Sequence, residues 1–260
     1  MRFCTLASGS SGNSVYIEQG DTRLLIDAGI SLRAIETALK QLGTSAKFLT
    51  GVLVTHEHSD HTRGLYQLAL RTGVPIYGSM DTVRAVLASM PDMMPDRFTV
   101  FASGCGPYRI GEFTVTTFPT SHDVPCLGYR IGGESTVAVA TDLGRMDGAV
   151  YDGLAGADFV IIECNHDVEM LRCGSYPPYL KRRILSDEGH LSNECCATAV
   201  CRLVETGCRH FVLMHLSESN NHPRLALEAV CGNLIQEGIH PGQVTVDVAP
   251  RYEMSRVFEL

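Results

Sequence analysis

The sequence predicts an α/β protein in which two β-sheets stack face to face with helices on the outside. Two observations carry this. Short apolar strands alternate with amphipathic helices along the whole chain, and the strands come in groups: three precede the first helix, and strands recur in both halves. A single doubly wound sheet would instead tend to give one helix per strand. No stretch rich in Pro, Gly or Ser separates the halves, so residues 1–260 read as one domain.

In order, Phe3 to Leu6, Ser14 to Glu18 and Arg23 to Ile26 read as strands, separated by the turn-rich segments "ASGSSGN" and "QGD". Ser31 is a candidate cap for a helix to Gln41, which Gly43 ends. "GVLVT" is a short buried strand, "TRGLYQLALRTG" a helix closed by Gly73, and "VPIYG" another strand before a helix from Asp81 to Ala88. "MPDMMPD" marks a loop, and "EFTVTTFP" alternates as a strand does. "CLGYRIGGESTVAVATDLG" reads as a hairpin turned at Gly132 and Gly133. Beyond it come a helix from Met146 to Leu154, the strand "DFVIIE", helices over Val168–Arg172 and Pro178–Leu185, and a longer helix from Ser192 to Glu205. "HFVLMH" is a strand and Pro223 to Glu237 a helix. "QVTVDV" and "EMSRVFEL" are expected to close the chain as a strand pair.

With 45% hydrophobic and 19% charged residues, the composition is that of an ordinary globular enzyme. No apolar run approaches the ~18 residues that cross a bilayer, and the start of the chain lacks the apolar core of a signal peptide. The ten cysteines are scattered without a CxxC pair, which suggests reduced thiols and a cytoplasmic location, with no membrane partner. A formal charge of −8 argues against a broad basic footprint but not a local one.

Chemistry concentrates in "LVTHEHSDHTRG". His56 and His58 are two apart in an extended segment, so both imidazoles point the same way. Asp60 and His61 follow where the chain turns into a helix, which aims a second pair near the first. Two cations ~3.5–4 Å apart would serve two-metal hydrolysis, and mixed imidazole and carboxylate donors suit Zn, Mn or Fe better than Ca or Mg. Four residues cannot complete two coordination spheres. Further donors stand just after apolar strands: His122 in "FPTSHDVPCLGYR", Asp142 in "VAVATDLG" and His215 in "FVLMHLS". Singly, each reads as an ordinary polar or turn residue; their shared position after strands is the signal.

This order of motifs resembles the metallo-β-lactamase superfamily, with H-x-H-x-D-H as its most specific signature. The resemblance implies the αβ/βα four-layer sandwich and two divalent transition-metal ions. His56, His58 and His122 would hold one, Asp60, His61 and His215 the other, and Asp142 would bridge them. A histidine at 61 fits poorly with the antibiotic-hydrolysing members that carry arginine there. "LASGSSGNSVYI", "ECNHDVEMLRCGSYPPYLKRRILSDEGHLSNE" and "HLSESNNHP" resemble the YycJ/WalJ family of bacterial proteins, associated with 5′-to-3′ DNA exonuclease activity. That implies hydrolysis of a DNA phosphodiester by a hydroxide shared between the two ions. Asp60 would orient the hydroxide, and no cysteine nucleophile is required.

His190, in "SDEGHLSNE", is read as the group that neutralises a phosphoryl oxygen or protonates the leaving alkoxide; helix capping by Ser192 would explain the loop without catalysis. Asn165 and His166 are candidates to orient a ligand or touch substrate. Ser10 and Asn13, in the Ser/Gly turn, are candidate phosphate contacts, a plain tight hairpin being the alternative. Lys181, Arg182 and Arg183 are the candidate backbone-binding run, unless they form a solvated helix face. A small-molecule phosphodiesterase or RNA-processing nuclease shares the same donors. A lactonase or thioesterase, or a non-catalytic nucleic-acid-binding module, is the remoter reading.

Overall fold

A computed structural model describes residues 1–101, 106–240 and 242–260. The first half contributes strands β1 (Arg2–Ala7), β2 (Ser14–Gln19), β3 (Thr22–Ile26), β4 (Gly51–Leu53), β5 (Ile76–Ser79) and β6 (Phe98–Phe101). With β14 (Phe258–Glu259) they form a seven-stranded sheet in the order β14-β1-β2-β3-β4-β5-β6. The second sheet is β7 (Tyr108–Ile110), β8 (Phe113–Thr120), β9 (Cys126–Gly132), β10 (Thr136–Ala140), β11 (Phe159–Glu163), β12 (His210–Met214) and β13 (Thr245–Val248), ordered β13-β12-β11-β10-β9-β8-β7. Both are mixed: β1, β2 and β3 are antiparallel and β3 to β6 parallel, while β10 to β13 are parallel and β7 to β10 antiparallel.

Strand side chains alternate between two faces, and here both faces are covered. In β11, Phe159 and Ile161 enter the layer between the sheets, with Ile17, Leu53, Val139 and Val212. Val160 and Ile162 face outward onto α8 (Asn193–Glu205) and α9 (Pro223–Gln236), through Val200, Leu203 and Val230. That double burial explains the unbroken apolar run "FVIIE". The outer face of the first sheet packs Tyr16 and Leu25 against Ile35 and Leu39 of α1 (Leu32–Gln41). The layers are therefore helix, sheet, sheet, helix, as expected.

Local signals set the helix ends. Ser31 Oγ accepts from Ala34 N at the start of α1, and Ser192 Oγ from Cys195 N at the start of α8. The predicted helix over 62–73 is two pieces, α2 (Ser59–Thr62) and α3 (Leu65–Thr72). Gly64 lies between them, its N–H bonded to Ala28 O at 2.8 Å, where a Cβ would stand 2.1 Å from Ile30 O. The chain packs too closely there for one straight helix. β6 and β7 were not expected. The expected pairing of the last two strands is also corrected: β13 adds in parallel to β12, while β14 joins β1 in the other sheet. Alternation marks a segment as a strand without naming its partner. The partner was set by packing, since Phe258 stacks on Phe3 at 4.7 Å and meets Phe159 edge-on at 5.6 Å. No described helix is long and apolar enough to cross a membrane, and the nine described cysteines are free.

Candidate metal centre

The strands deliver polar side chains to one rim. Asp27 follows β3; His56, His58, Asp60 and His61 lie on the segment from β4 into α2. His122 follows β8, Asp142 follows β10, Glu163 ends β11 and His215 follows β12. Among the described residues, the non-glycine positions with left-handed backbone are Asp27 (φ 61°), Asp142 (φ 56°) and His215 (φ 59°), all on this rim. Such a conformation costs about 1–3 kcal/mol and survives where its surroundings hold it. His215 N donates to Ser8 Oγ and its carbonyl accepts from Asn165 Nδ2, both at 2.8 Å.

Among the described residues, four groups of donor atoms each fall within 4.8 Å of one another: His56, His58 and His122; Asp60, His61 and His215; His56, His61 and Asp142; and Asp142, Glu163, His190 and His215. Asp142 lies between the first two, with Oδ1 3.8 Å from His122 Nε2 and Oδ2 3.1 Å from His61 Nε2. The carboxylate thus touches both sets, Oδ1 also lying 3.6 Å from His215 Nδ1.

The donor orientation fits metal ions. His56 Nδ1 is 3.0 Å from Thr55 Oγ1, His61 Nδ1 2.7 Å from Asp27 Oδ2, His122 Nδ1 3.2 Å from Gly189 O and His215 Nδ1 2.7 Å from Glu163 Oε1. With Nδ1 acting as donor, each ring turns the lone pair of Nε2 inward, the tautomer a cation needs. His56 Nε2, His122 Nε2 and Asp142 Oδ2 are buried and make no hydrogen bond. Buried polar atoms in native proteins seldom lack a partner, and two cations would supply it.

The electrostatics depend on the same pairs. Burial opposes protonation of His215, but Asp142, Asp60 and Glu163 outweigh it and raise its pKa to about 10. Burial likewise opposes protonation of His61, yet Asp142 and Asp27 carry its pKa well above the usual value. Burial, with His61 adding to it, pushes His56 well down, and burial lowers His122. Burial would raise Asp60, but hydrogen bonds from His215 and His61 hold it far below the carboxylate range. At pH 7 the metal-free centre therefore keeps protons on His61 and His215 that a coordinating cation must displace. Metal uptake should release protons, and affinity should fall as pH is lowered. Calorimetry in buffers of different ionisation enthalpy reads this directly; heats independent of the buffer would contradict it.

Several of these groups escaped the sequence analysis. Asp27 accepts from Thr55 N and Oγ1 as well as from His61. Glu163 is fully buried, and its Oε1 lies 2.7 Å from His215 Nδ1 and 2.8 Å from His190 Nδ1. Burial works to raise Glu163, but His190 and His215 bring its pKa down to about 2. Both acids end an apolar strand, the rule that found Asp142, and could have been found by it. Because Glu163 orients a metal donor, Glu163→Gln should weaken metal affinity by ~10–100-fold; competition against a chromogenic chelator measures it. Asp123 was also missed: its Oδ1 is 3.1 Å from His122 Nε2 and 3.6 Å from His58 Nε2.

The other residues singled out in the sequence lie as follows. His190 is beside the centre, its ring 5.3 Å from that of His122 and 5.2 Å from that of His215. Ser192 caps α8, so capping and placement beside the centre coexist in one loop. The Ser/Gly turn is a hairpin that folds on itself, with Gly12 N donating to Gly9 O and Gly9 N to Asn13 Oδ1. Those amides are spent internally, and Asn13 Nδ2 reaches His61 Nε2 at 3.1 Å and Asp60 Oδ2 at 3.4 Å. Ser10 sits exposed at the tip. Asn165 is buried and braces His215. His166 is buried with neither ring nitrogen hydrogen-bonded, and burial lowers its pKa to about 4. Lys181 Nζ caps the preceding helix, donating to Arg172 O and Gly174 O at 2.7 Å each. Arg182 is exposed, and Arg183 pairs with Asp123 at the edge of the first donor set.

Fold and donor geometry together define a metal-binding hydrolase scaffold. A profile of the beta-lactamase superfamily domain matches residues 22–216, and the chain belongs to that superfamily, the metallo-β-lactamase fold. Exodeoxyribonuclease YycJ of Bacillus anthracis is 37% identical over 245 residues, covering 94% of this chain and 92% of that protein. Exodeoxyribonuclease WalJ of Streptococcus pneumoniae is 37% identical over 245 residues, covering 93% and 91%. Among solved structures, the metallo-beta-lactamase fold protein YhfI from Bacillus subtilis superposes with a TM-score of 0.72 at 22% identity, over 99% of this chain and 98% of that one.

Proposed function

We propose that the protein is a metal-dependent phosphodiester hydrolase, a DNA exonuclease that digests 5′ to 3′. The observation that carries the reading is His190, held through Glu163 beside the shared carboxylate Asp142. Phosphodiester hydrolysis must protonate a departing alkoxide, and an imidazole beside the centre is suited to that step. Exodeoxyribonuclease relatives along nearly the whole chain support DNA as the substrate; the 5′-to-3′ polarity is the expectation that the resemblance of its motifs carries.

Two divalent ions, with Zn, Mn and Fe as the candidates, would be held by His56, His58 and His122, by Asp60, His61 and His215, and by Asp142 in common. Bound there, they supply Lewis acidity toward phosphoryl oxygen and lower the pKa of water. The chain's own groups do the rest. Asp60, held ionised, accepts a hydrogen bond from the attacking water and directs its lone pair at phosphorus. Charge grows on the non-bridging oxygens as the P–O3′ bond opens. Carrying a proton on each ring nitrogen, His190 donates Nδ1–H to Glu163 and passes the Nε2 proton to the departing oxygen, which leaves it the neutral Nδ1–H imidazole. Arg183, paired with Asp123 at the edge of the first donor set, holds the strand backbone together with the exposed Arg182.

Purified protein supplied with Mn or Zn, incubated with single- and double-stranded DNA labelled at either end, tests the reading. Mononucleotide release from the 5′ end is expected. Failure to cleave any nucleic acid, or release from the 3′ end, would contradict it.

A further inference from the structure

Beside the second donor set lies a cavity of about 710 Å³ that the reaction outlined above does not use. This is within the ~300–1,000 Å³ of pockets that enclose small ligands, ample for a nucleotide with its phosphate. Four of its lining residues connect it to the centre. Ser11 and Gly12 immediately precede the hairpin residue Asn13, which touches Asp60 and His61. Arg63, two residues beyond His61, donates to Ser11 O at 2.9 Å. Tyr252 bonds through its hydroxyl to Glu218 at 2.7 Å, on the loop that follows His215.

Its chemistry is uneven in a telling way. Arg33, Arg63 and Arg251 line it against a single acid, Glu253, in a chain whose net charge is −8. Arg251 lines the cavity with its Nη1 buried close to Gly9, and its guanidinium adds positive charge to that wall. The Tyr252 ring is 69% exposed, with the Arg251 guanidinium carbon 5.9 Å from its centre. A cavity of about 520 Å³ at the far end of β1 and β2 is lined instead by Glu18, Glu112, Glu134 and Glu259, which would repel phosphate.

The geometry points to this cavity as the binding site for the single-stranded segment of the nucleic acid next to the scissile phosphate. Arg33, Arg63 and Arg251 take the phosphates and a base stacks on Tyr252. The strand would cross the centre from Arg182 and Arg183 on one side to this cavity on the other. The inference rests on the nuclease reading for its choice of ligand. Arginine with an exposed aromatic is how single strands are held without sequence preference.

The test is fluorescence anisotropy of a fluorescein-labelled, hydrolysis-resistant phosphorothioate oligothymidylate with the metal-loaded protein. Tyr252→Ala should weaken binding roughly tenfold, the loss of one stacked base, and Tyr252→Phe should restore it. Arg33→Ala and Arg251→Ala should each reduce the slope of log K against log salt by about 0.7, an effect that a merely structural role would not produce. An oligothymidylate carrying 5-iodouracil should photocrosslink to Tyr252. Absence of binding by the wild type, or Tyr252 and arginine variants that bind with wild-type affinity and salt slope, would overturn the site. Binding with these signatures but no cleavage of natural DNA would count against the nuclease reading alone. Cleavage with unaltered variants would count against the cavity alone.

Discussion

Asp142→Ala is expected to reduce bound metal from two ions to at most one per chain and to lower DNA hydrolysis by at least ~10³-fold, the several kcal/mol that metal Lewis acidity supplies to a transition state. The carboxylate lies against both donor sets, 3.8 Å from His122 Nε2 on one side and 3.1 Å from His61 Nε2 on the other. Its loss also leaves the buried His61 and His215 with fewer anionic partners. Burial alone would keep the Asp142 carboxyl protonated; His215 and His61 reverse this and hold it ionised well below the ordinary range. The carboxylate is thus present before any cation arrives. Metal analysis beside a rate assay checks the prediction, and a variant that keeps two ions and wild-type turnover would refute it.

His190→Ala should lower turnover of DNA by ~10²–10⁴-fold, the usual contribution of a positioned proton donor, while both ions stay bound. The leaving group distinguishes proton donation from general support of the fold. An aryl oxide departs without help, so a bis(aryl) phosphate should lose much less rate than DNA. Equal losses on the two substrates, or loss of metal along with rate, would show that His190 acts by holding the loop together. Glu163 sharpens the distinction, because it accepts from both His190 and His215. Glu163→Gln should therefore combine weaker metal binding with slower proton transfer.

Much of the centre was legible because its donors occupy one kind of position. His56, His58, Asp60 and His61 crowd a single segment, and His122, Asp142 and His215 each follow an apolar strand. Apolar runs also disclosed the sheets, since a strand covered on both faces, such as "FVIIE", must be hydrophobic throughout. What stayed hidden needed three dimensions. Asp27 and Glu163 obey the same strand-end rule, but a lone acid after a strand looks like any turn residue until a histidine is found against it. Lys181 illustrates the reverse: in sequence it belongs to a basic run, yet its ammonium is occupied by helix carbonyls and Arg183 alone of that run reaches the rim through Asp123. The partners of the last two strands were out of reach for a related reason. Alternation fixes which face a side chain takes, whereas Phe258 found its neighbour by stacking on Phe3.

The central claim is that donors from both sheets assemble one site for two ions sharing Asp142. Anomalous scattering at the manganese edge, from crystals of Mn-loaded protein, tests it most directly. Two peaks ~3.5–4 Å apart, one among His56, His58 and His122, the other among Asp60, His61 and His215, with Asp142 touching both, is the predicted result. A single peak, or peaks away from Asp142, would contradict the account.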